Sequence, residues 1–411
     1  MPSASRSTIL RRRFAVLGGL LVVILLGGYL ATTSVAALPA SAATLTQPAA
    51  LTQPATAMVW PGIGEGAIGA VGYDGVLGSN GSQAAVPIAS ITKMITSLVL
   101  LDKKPLAATE AGPDVTFTDA DVQIYYDVLA EDGSVAPVVS GMVLSQRQAL
   151  EGMLLPSANN YSITLANWAF GSVDAYLKVA RTWLTDHGLT GTTIADTSGL
   201  SPESASTPAD LVEIGKLVLK NPALASIVSE KTAVLPTIGT VTNTNEMLGE
   251  HGVDGIKTGT TDEAGACLLF SADFTVGDST VTLVGVLLGG TTHDTLDADI
   301  GRLIESVKPG FREVTLTEAG ASYGAYASVW GQNGTVVAAE PASALVWSDT
   351  AVTGVATARS VGVGADGDAV GSLDFTVGAE KISVPLVLDG TLSDPGPGWR
   401  FTHPGELLAS R

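Results

Sequence analysis

A serine and a lysine stand three residues apart in an apolar stretch of the sequence, Ser90-Ile-Thr-Lys93. Residues at that spacing share one face of a helix, so their side-chain ends can meet. A serine hydroxyl is a weak nucleophile until a neighbour takes its proton, and a lysine can take it once burial disfavours its charged form. Lys93 is the only charged residue between Asp74 and Asp102, which predicts such burial. The pair therefore indicates a nucleophile with its base, whereas a lysine that extends from a buried helix to water is the simpler alternative.

Two further segments carry polar groups that suit the same chemistry. Ser157-Ala-Asn159 begins a predicted helix, where a hydroxyl and an amide two residues apart can bond both a catalytic lysine and a substrate amide. Taken alone, a serine after a proline is typical of a helix cap. Lys257-Thr-Gly-Thr260 lies on a predicted strand, where Gly259 leaves room for another backbone and the lysine suits a peptide that ends in a carboxylate. Taken alone, this segment would be an ordinary strand end.

The hydrophobic periodicity predicts the elements that must position these residues. Helical periodicity is found at 90–101, 145–155, 157–170, 173–186, 208–219 and 292–307. Strand patterns are found at 67–72, 83–87, 255–258, 266–275 and 280–288, with turns at 78–81 and 276–279. Strands at both ends of a helix-rich middle predict one antiparallel sheet covered by helices, an α+β domain. Short alternating segments beyond residue 309 predict a small all-β domain.

The N-terminal residues indicate export. Arg6 and Arg11 to Arg13 precede eighteen uncharged, mostly apolar residues, Phe14 to Ala31, and this charge order places the rest of the chain outside the cytoplasm. Eighteen residues lie between the lengths of a cleaved signal and a spanning helix, so both remain open. Val35-Ala-Ala37 and Ala40-Ser-Ala42 are small-residue sites where a signal peptidase could cut.

Changes in composition along the chain predict the domain boundaries. Two similar hexamers, which begin at Leu45 and Leu51, contain proline and cannot build a core, so they predict a spacer. The expected organisation is a signal peptide or membrane anchor at 1–43, a spacer at 44–59, a catalytic domain at 60–309 and a β-rich domain at 310–411.

Composition excludes several functions. Forty acidic residues stand against 21 basic ones, a net charge of −19, and no basic stripe is present that could bind nucleic acid. The single cysteine, Cys267, excludes an intramolecular disulfide and a cysteine-based zinc cluster, and we expect it to pack as a small apolar residue. The four histidines lack zinc spacing, so surface or capping roles are expected for them, His293 included, and no metal is expected.

Taken together, the three motifs resemble those of the serine β-lactamases and penicillin-binding proteins, in the same order along the chain. The longer strings Pro87-Ile-Ala-Ser-Ile-Thr-Lys93, Pro156-Ser-Ala-Asn159 and Gly255-Ile-Lys-Thr-Gly-Thr-Thr-Asp-Glu-Ala-Gly265 are similar to the D-alanyl-D-alanine carboxypeptidase family. So is Asp196-Thr-Ser-Gly-Leu-Ser201. The resemblance implies a β-lactamase/transpeptidase-like fold and a cofactor-free serine enzyme of the bacterial envelope. Its substrate would be a peptidoglycan stem peptide ending in D-Ala-D-Ala, and β-lactams would inhibit it.

The same resemblance implies the roles of the site residues. Ser90 would be the acylated nucleophile and Lys93 its proton acceptor, while Ser157 and Asn159 would shuttle protons and orient the substrate. Asn160 stands where the family often has an acidic residue, which leaves the local helix contacts open.

The third motif would bind the substrate. Lys257, Thr258 and Gly259 would line the strand that holds the terminal D-Ala. The backbone amides of Ser90 and Thr260 would form the oxyanion hole, where preorganised donors stabilise the tetrahedral intermediate.

Three alternative functions remain open from the sequence. A β-lactamase needs a general-base glutamate after the middle motif, and Glu203 is the one acidic residue in a plausible place. A D,D-endopeptidase would cut D-Ala cross-links with the same residues. A non-catalytic envelope binding protein would merely hold penicillin-like ligands, and its Ser90→Ala variant would behave like the parent.

Overall fold

A computed structural model describes residues 6–409 of the protein. Residues 1–5 and 410–411, the ends of the predicted N-terminal segment and of the predicted β-rich domain, lie outside the described residues. The chain divides into two compact units. One is Thr56–Phe311, and the other combines the residues up to Ala55 with those from Arg312 onward.

The described residues contain helices and strands that are numbered here in chain order. The helices are α1 (Arg6–Val35), α2 (Thr92–Lys103), α3 (Asp119–Ala130), α4 (Gln146–Leu154), α5 (Asn159–Phe170), α6 (Val173–Asp186), α7 (Pro208–Lys220), α8 (Pro222–Val228), α9 (His293–Val307), α10 (Pro397–Thr402) and α11 (Pro404–Ala409). The first strands are β1 (Thr44–Leu45), β2 (Glu65–Ala70), β3 (Gly78–Asn80), β4 (Val86–Pro87), β5 (Asp114–Thr116), β6 (Val143–Ser145), β7 (Ala205–Ser206), β8 (Thr232–Leu235), β9 (Gly239–Thr242), β10 (Val253–Thr261), β11 (Gly265–Val276) and β12 (Ser279–Gly290). The later strands are β13 (Phe311–Thr317), β14 (Ser322–Ala327), β15 (Asn333–Ala338), β16 (Ala342–Trp347), β17 (Val352–Ala358), β18 (Ala369–Val377) and β19 (Glu380–Asp389).

The unit Thr56–Phe311 is built around one antiparallel sheet with the strand order β10-β11-β12-β2-β3. Strands from both ends of the unit meet in the middle of the sheet, where β12 pairs with β2. Helices α7 and α9 pack against this sheet. The prediction of one antiparallel sheet assembled from both ends and covered by helices is therefore confirmed.

Two local predictions at the start of this unit are wrong. Residues 78–80 were expected in a turn, but they form β3 and pair with β2. Residues 83–87 were expected to form a strand directly after this turn, but only Val86–Pro87 is extended and it pairs with β7. The predicted hairpin between β11 and β12 is correct, since Val276 pairs with Ser279.

Helix α2 forms the centre of the same unit. Its residues from Thr92 to Leu101 are all buried, and helices α4, α5, α6 and α7 pack around it. A helix that is apolar on most sides is stable only when neighbours cover it on all sides. Because Lys93 lies in the first turn of this helix, its side chain is enclosed by the core.

Two helices of this unit, α3 and α8, were not predicted from the sequence. Helix α3 begins with a capping box between Thr118 and Asp121, but only Asp121 and Val128 of the helix are buried, so its hydrophobic periodicity is weak. Helix α8 is only seven residues long, and the cap that starts it is the side chain of Asn221.

The second unit contains an antiparallel sheet with the strand order β1-β14-β15-β19-β18-β17. Tyr326, Leu373, Leu386 and Leu388 are fully buried in its core. The β-rich character was predicted, whereas β16, β17, α10 and α11 were not. The hexamer region also differs from a free spacer, because β1 pairs with β14 and the Gln47 side chain bonds the backbone of Ala356.

Candidate active site

Ser90 and Lys93 lie where a short 3-10 turn, Ala89–Ile91, passes into α2. Lys93 Nζ lies 2.8 Å from Ser90 Oγ. Lys93 is fully buried, whereas Ser90 is partly exposed, so the hydroxyl can meet a substrate while the amine stays away from water. The pair has the contact that proton transfer from Ser90 to Lys93 requires.

The middle motif meets the same amine. Lys93 Nζ lies 2.7 Å from Asn159 Oδ1 and 3.5 Å from Ser157 Oγ. The carbonyl oxygen of Ser198 lies 3.3 Å away on another side. The lysine is therefore held by oxygen atoms from three separate segments, and Ser157 and Asn159 of the middle motif both lie at its amine.

Ser157 is not a helix cap. The N-cap of α5 is Ala158, and the helix begins at Asn159, two residues later than predicted. Ser157 has a φ of +61°, and Ala89, directly before Ser90, has a φ of +44°. A residue with a side chain is held there at a cost of about 1–3 kcal/mol, which the surrounding packing must offset. Ser157 contacts the Lys93 amine through its hydroxyl, and Ala89 directly precedes Ser90 in the chain.

Strand β10 passes beside the turn that carries Ser90. A Cβ atom on Gly259 would lie 3.0 Å from the Ile88 carbonyl oxygen and 3.1 Å from the Ser90 backbone nitrogen. Only a glycine leaves the strand this close without a shift of the neighbouring backbone. The third predicted motif therefore lies directly against the turn that carries Ser90.

The amine of Lys257 is buried on this strand. Its Nζ lies 3.1 Å from the Thr258 carbonyl oxygen, 3.3 Å from Thr258 Oγ1 and 3.4 Å from Thr244 Oγ1. The two threonine hydroxyls are themselves 2.6 Å apart. Thr244 was not singled out in the sequence, because a threonine in a loop carries no signal of its own.

The charges of the two lysines are governed by burial. Desolvation lowers the pKa of Lys93 well below its usual range, and the positive charge of Lys257 lowers it further, while Asp196 acts in the opposite direction. Burial alone lowers the pKa of Lys257 to about 7. Burial therefore favours the uncharged amine of Lys93, which is the form that can accept a proton from Ser90.

Asp196 organises the turn that contacts Lys93. Its carboxylate accepts hydrogen bonds from the backbone amides of Gly199, Leu200 and Ser201 and from Ser204 Oγ, at 2.7 to 3.0 Å. This network fixes the turn in which the Ser198 carbonyl faces Lys93. The string around Asp196 is recognisable in the sequence, but the role of its carboxylate is not.

Asn160 holds a loop over the start of α5. Its side chain accepts a hydrogen bond from the Ala136 amide at 3.1 Å and donates one to the Ala136 carbonyl at 2.9 Å. The Asn159 amide donates to the Ser134 carbonyl at 2.7 Å. The amide side chain at position 160 therefore ties this loop to the middle motif, which answers the question that the departure from the family pattern left open.

A histidine extends the polar site at its edge. His293 Nε2 lies 2.7 Å from the hydroxyl of Thr260, the exposed last residue of the third motif. His293 is also the first residue of α9. The sequence assigned it to a surface or capping role because its partner, Thr260, lies far away along the chain.

Cys267 lies in β11 directly opposite Gly259 of β10. Within residues 6–409 no group of three or more His, Cys, Asp or Glu side chains is arranged to hold a metal ion. Cys267 is fully buried in β11, and burial raises the pKa of its thiol to about 11. This cysteine therefore packs as a small apolar residue.

Comparison with known proteins gives concordant similarities. A family model described as D-alanyl-D-alanine carboxypeptidase matches residues 72–292. The chain is 29% identical over 220 residues to the D-alanyl-D-alanine carboxypeptidase DacA of Escherichia coli, covering 53% of either protein, so it spans about half the length of that relative. It is 31% identical over 255 residues to a D-alanyl-D-alanine endopeptidase of Pseudomonas aeruginosa, covering 60% of this chain and 76% of that one.

A solved structure supports the same relationship. The crystal structure of the Streptomyces K15 DD-transpeptidase superposes with a TM-score of 0.53 and 27% identity, covering 62% of this chain and 98% of that one. The predicted β-lactamase/transpeptidase-like fold class is therefore confirmed.

The contact between Gly259 and the Ser90 turn can be tested with Gly259→Ala. The added methyl group must push β10 away from Ser90, and a displacement of this kind lowers the acylation rate by about 10²-fold. Stopped-flow measurement with a fluorescent penicillin gives this rate. Gly62→Ala, in the same unit but with open space around the glycine, is the matched control and keeps the parent rate. Equal rates for the two variants would contradict the contact.

The role of Asp196 can be separated from general stability with Asp196→Ala. Three backbone amides lose their acceptor, so the unfolding free energy falls by about 3 kcal/mol or more, and the fully folded fraction acylates more slowly because the Ser198 carbonyl no longer supports Lys93. Asp210→Ala is the control, since Asp210 accepts bonds from Gly191 and Thr192 in another turn. We expect Asp210→Ala to lower the melting temperature but to leave the acylation rate unchanged. If both variants acylate at one rate, Asp196 has a purely structural role.

Proposed function

Because this chain belongs to the D-alanyl-D-alanine carboxypeptidase family, whose model matches more than half of its length, we propose that it is a serine D-alanyl-D-alanine carboxypeptidase. It removes the terminal D-Ala from peptidoglycan stem peptides that end in D-Ala-D-Ala, and β-lactams inhibit it. The observation that carries the proposal is the 2.8 Å contact between Ser90 Oγ and a buried Lys93 amine whose pKa is lowered well below its usual range.

The proposed acylation step uses Lys93 as the base. Its free amine takes the proton of Ser90 while Ser90 Oγ attacks the carbonyl carbon of the penultimate D-Ala. The oxyanion that forms is stabilised by the backbone amides of Ser90 and Thr260. When the intermediate collapses, the carbon–nitrogen bond breaks, and the proton held by Lys93 passes through Ser157 to the leaving amine of D-Ala.

Deacylation completes the cycle with water. Lys93, again uncharged, takes a proton from a water molecule whose oxygen attacks the acyl carbon of the Ser90 ester. The carbon–oxygen bond of the ester breaks, and the proton returns to Ser90 Oγ. Asn159, which accepts a hydrogen bond from Lys93, orients the amine through both steps. β-Lactams inhibit because their ring opens on Ser90 and leaves an acyl group that water removes slowly.

Substrate binding rests on the strand motif. The oxygens within hydrogen-bond distance of Lys257 Nζ belong to threonine hydroxyls and a carbonyl, all of them neutral. A buried ammonium without a charged partner is unfavourable, so the carboxylate of the terminal D-Ala supplies the counter-charge. The peptide backbone lies along β10 beside Gly259, as an added strand would.

The β-lactamase alternative has less support. Glu203 is exposed, its amide bonds Ser201 Oγ, and its carbonyl accepts a bond from Thr193. None of these contacts directs its carboxylate to the acyl group on Ser90. We therefore expect slow release of penicillin.

A D,D-endopeptidase is the second candidate, favoured by the similarity to the Pseudomonas aeruginosa protein of that name. The two activities differ in the group that leaves. A carboxypeptidase releases a free D-Ala, whereas an endopeptidase releases a D-Ala that is part of a cross-linked peptide. Incubation with a pentapeptide monomer and with a cross-linked dimer decides between them, and faster cleavage of the dimer would replace the carboxypeptidase proposal.

The proposal places the catalytic unit outside the cytoplasm. Helix α1 is long and apolar enough to cross a membrane, and its arginines at the start favour a cytoplasmic N-terminus. The chain that follows α1 then faces the envelope, where peptidoglycan is found.

The nucleophile can be tested with Ser90→Ala. This change removes the acylated oxygen, so kcat falls by about 10⁴-fold or more, and mass spectrometry after incubation with a β-lactam detects no adduct. The parent carries one adduct, on Ser90. Ser97→Ala is a control in the same helix, because the Ser97 hydroxyl donates only to the Lys93 carbonyl. An adduct on Ser90→Ala, or activity equal to the parent, would favour the non-catalytic binding protein.

The role of Lys257 predicts a pH dependence. Its pKa of about 7 lies below the usual lysine value, so the ammonium is present below pH 7 and is lost as pH rises. Since kcat/KM reports the free enzyme, it falls about tenfold per pH unit above 7 for a peptide with a free carboxylate. A peptide amide of the same sequence lacks the carboxylate and loses this alkaline limb. An identical limb for both peptides would exclude Lys257 as the carboxylate site.

A further inference from the structure

The first helix has the dimensions of a bilayer-spanning segment. Its large apolar side chains, from Phe14 to Leu30, are exposed in the structure. The twenty residues from Phe14 to Thr33 extend for about 30 Å, the thickness of the hydrocarbon core of a bilayer. Arg11 to Arg13 precede this stretch, so charged groups mark its inner end.

The outer end of α1 is bonded by residues from the C-terminal part of the chain. Arg400 Nη1 donates to the Ala36 carbonyl at 2.6 Å and to the Thr33 carbonyl at 3.3 Å. Tyr29 Oη donates to the Phe401 carbonyl at 2.6 Å. The last carbonyls of a helix have no partners within it, and a cation placed there also complements the helix dipole. Arg400 therefore caps α1.

The capping arginine is itself fixed. Arg400 is only 8% exposed, and its guanidinium forms two bonds with the carboxylate of Asp394, at 2.6 and 3.2 Å. A buried guanidinium that loses its acceptors has no water to replace them, which is unfavourable. The packing of this segment, Asp394–Leu408, is therefore complete only when α1 is present.

Cleavage at either candidate signal-peptidase site would break the contacts between α1 and Arg400. A cut after Ala37 or after Ala42 would remove Tyr29, Thr33 and Ala36, and with them both acceptors that Arg400 has on α1. A cut after Ala42 would also remove Ser41, whose amide and carbonyl both bond the backbone of Val361, at 2.9 and 3.0 Å. The folded unit thus uses residues on the N-terminal side of each site.

The segment that bonds this outer end carries a tryptophan that packs against other rings. Trp399 contacts Trp330 with ring centroids 5.6 Å apart and stacks on His403 at 4.7 Å. Tryptophan and tyrosine are enriched where a bilayer meets water. Trp399 neighbours Arg400 in sequence, and Arg400 bonds the end of α1 that lies away from Arg13, which matches the position of such a belt. Leu408, in α11, is 66% exposed and adds an apolar side chain to the segment.

From these contacts we propose that α1 is retained in the working protein as its bilayer-spanning anchor. The segment Asp394–Leu408 clasps the outer end of this anchor at the lipid surface. The partner of the exposed apolar face of α1 is therefore the phospholipid bilayer. The inference does not depend on the proposed catalytic function, because it concerns the other unit and none of its contacts involves Ser90 or Lys93.

The first experiment tests retention. The full chain is expressed in a bacterial host, and membranes are washed with alkaline carbonate before detection with an antibody against the catalytic unit. We expect the protein in the membrane pellet, released only by detergent, with an intact mass that includes α1. A soluble product that begins at Leu38 or Ala43 would overturn the proposal, as would release by carbonate.

The second experiment tests the clasp with Arg400→Gln in the same membranes. Limited digestion with elastase, which cuts after small residues, acts on the segment between Ala36 and Ala43. Loss of the charge-assisted bonds frees this segment, so the catalytic unit is released about tenfold faster or more than from the parent. Arg359→Gln is the matched control, since Arg359 in the same unit is exposed and bonds only the Ala369 carbonyl through its side chain. Equal release from both variants would exclude the clasp.

A third variant guards against a folding defect. Tyr29→Phe removes a single hydrogen bond from α1 to Phe401 and leaves Arg400 unchanged. We expect release at a rate between those of the parent and Arg400→Gln, with an unchanged melting temperature for the catalytic unit. A parental rate for Tyr29→Phe together with a lowered melting temperature for Arg400→Gln would assign the effect to unfolding and overturn the clasp.

Discussion

The burial of one lysine amine against one serine hydroxyl is the constraint on which the rest of this structure depends. An ammonium group is expensive to remove from water, so the helices around α2 must enclose Lys93 tightly enough to favour its uncharged form. They must also leave Ser90 open on one side. The carbonyl of Ser198 and the amide of Asn159 satisfy the enclosed amine without restoring a full counter-charge. A carboxylate in direct contact with Lys93 would raise the pKa of the amine and keep it protonated, so that it could not accept a proton.

Close backbone approaches explain how the site is kept in register. Gly259 brings β10 against the Ser90 turn, and Gly199, at a φ of +80°, brings the Asp196 turn against the Ala89 carbonyl. The left-handed backbone of Ala89 is tolerated because both glycine segments pack against this residue. Rigidity at Ser90 is therefore supplied from outside its own helix, by segments that are distant along the chain.

Most residues of the candidate site and the general outline of the fold could be predicted from the sequence. Ser90, Lys93, Ser157, Asn159 and Lys257 could be found because each belongs to a short motif whose residue types have a chemical reason. Asp196 was harder to interpret. Its carboxylate accepts hydrogen bonds from the backbone amides of a turn, and a turn of this kind leaves no periodic pattern in the sequence. His293 and Thr244 act through partners that only the fold brings near. Strand β3 resembled a turn because its glycine and asparagine are typical of loops, yet pairing with β2 overrides that local preference.

The order of the strands has a consequence for the newly made protein. The central pairing joins β2, near the start of the catalytic unit, to β12, near its end, and β10 must lie beside Ser90. Contacts between such distant segments form late in folding, because a long loop must be closed first. Until these segments have met, Lys93 remains hydrated and charged. The Ser90 hydroxyl therefore gains an uncharged amine beside it only after the sheet has closed around α2.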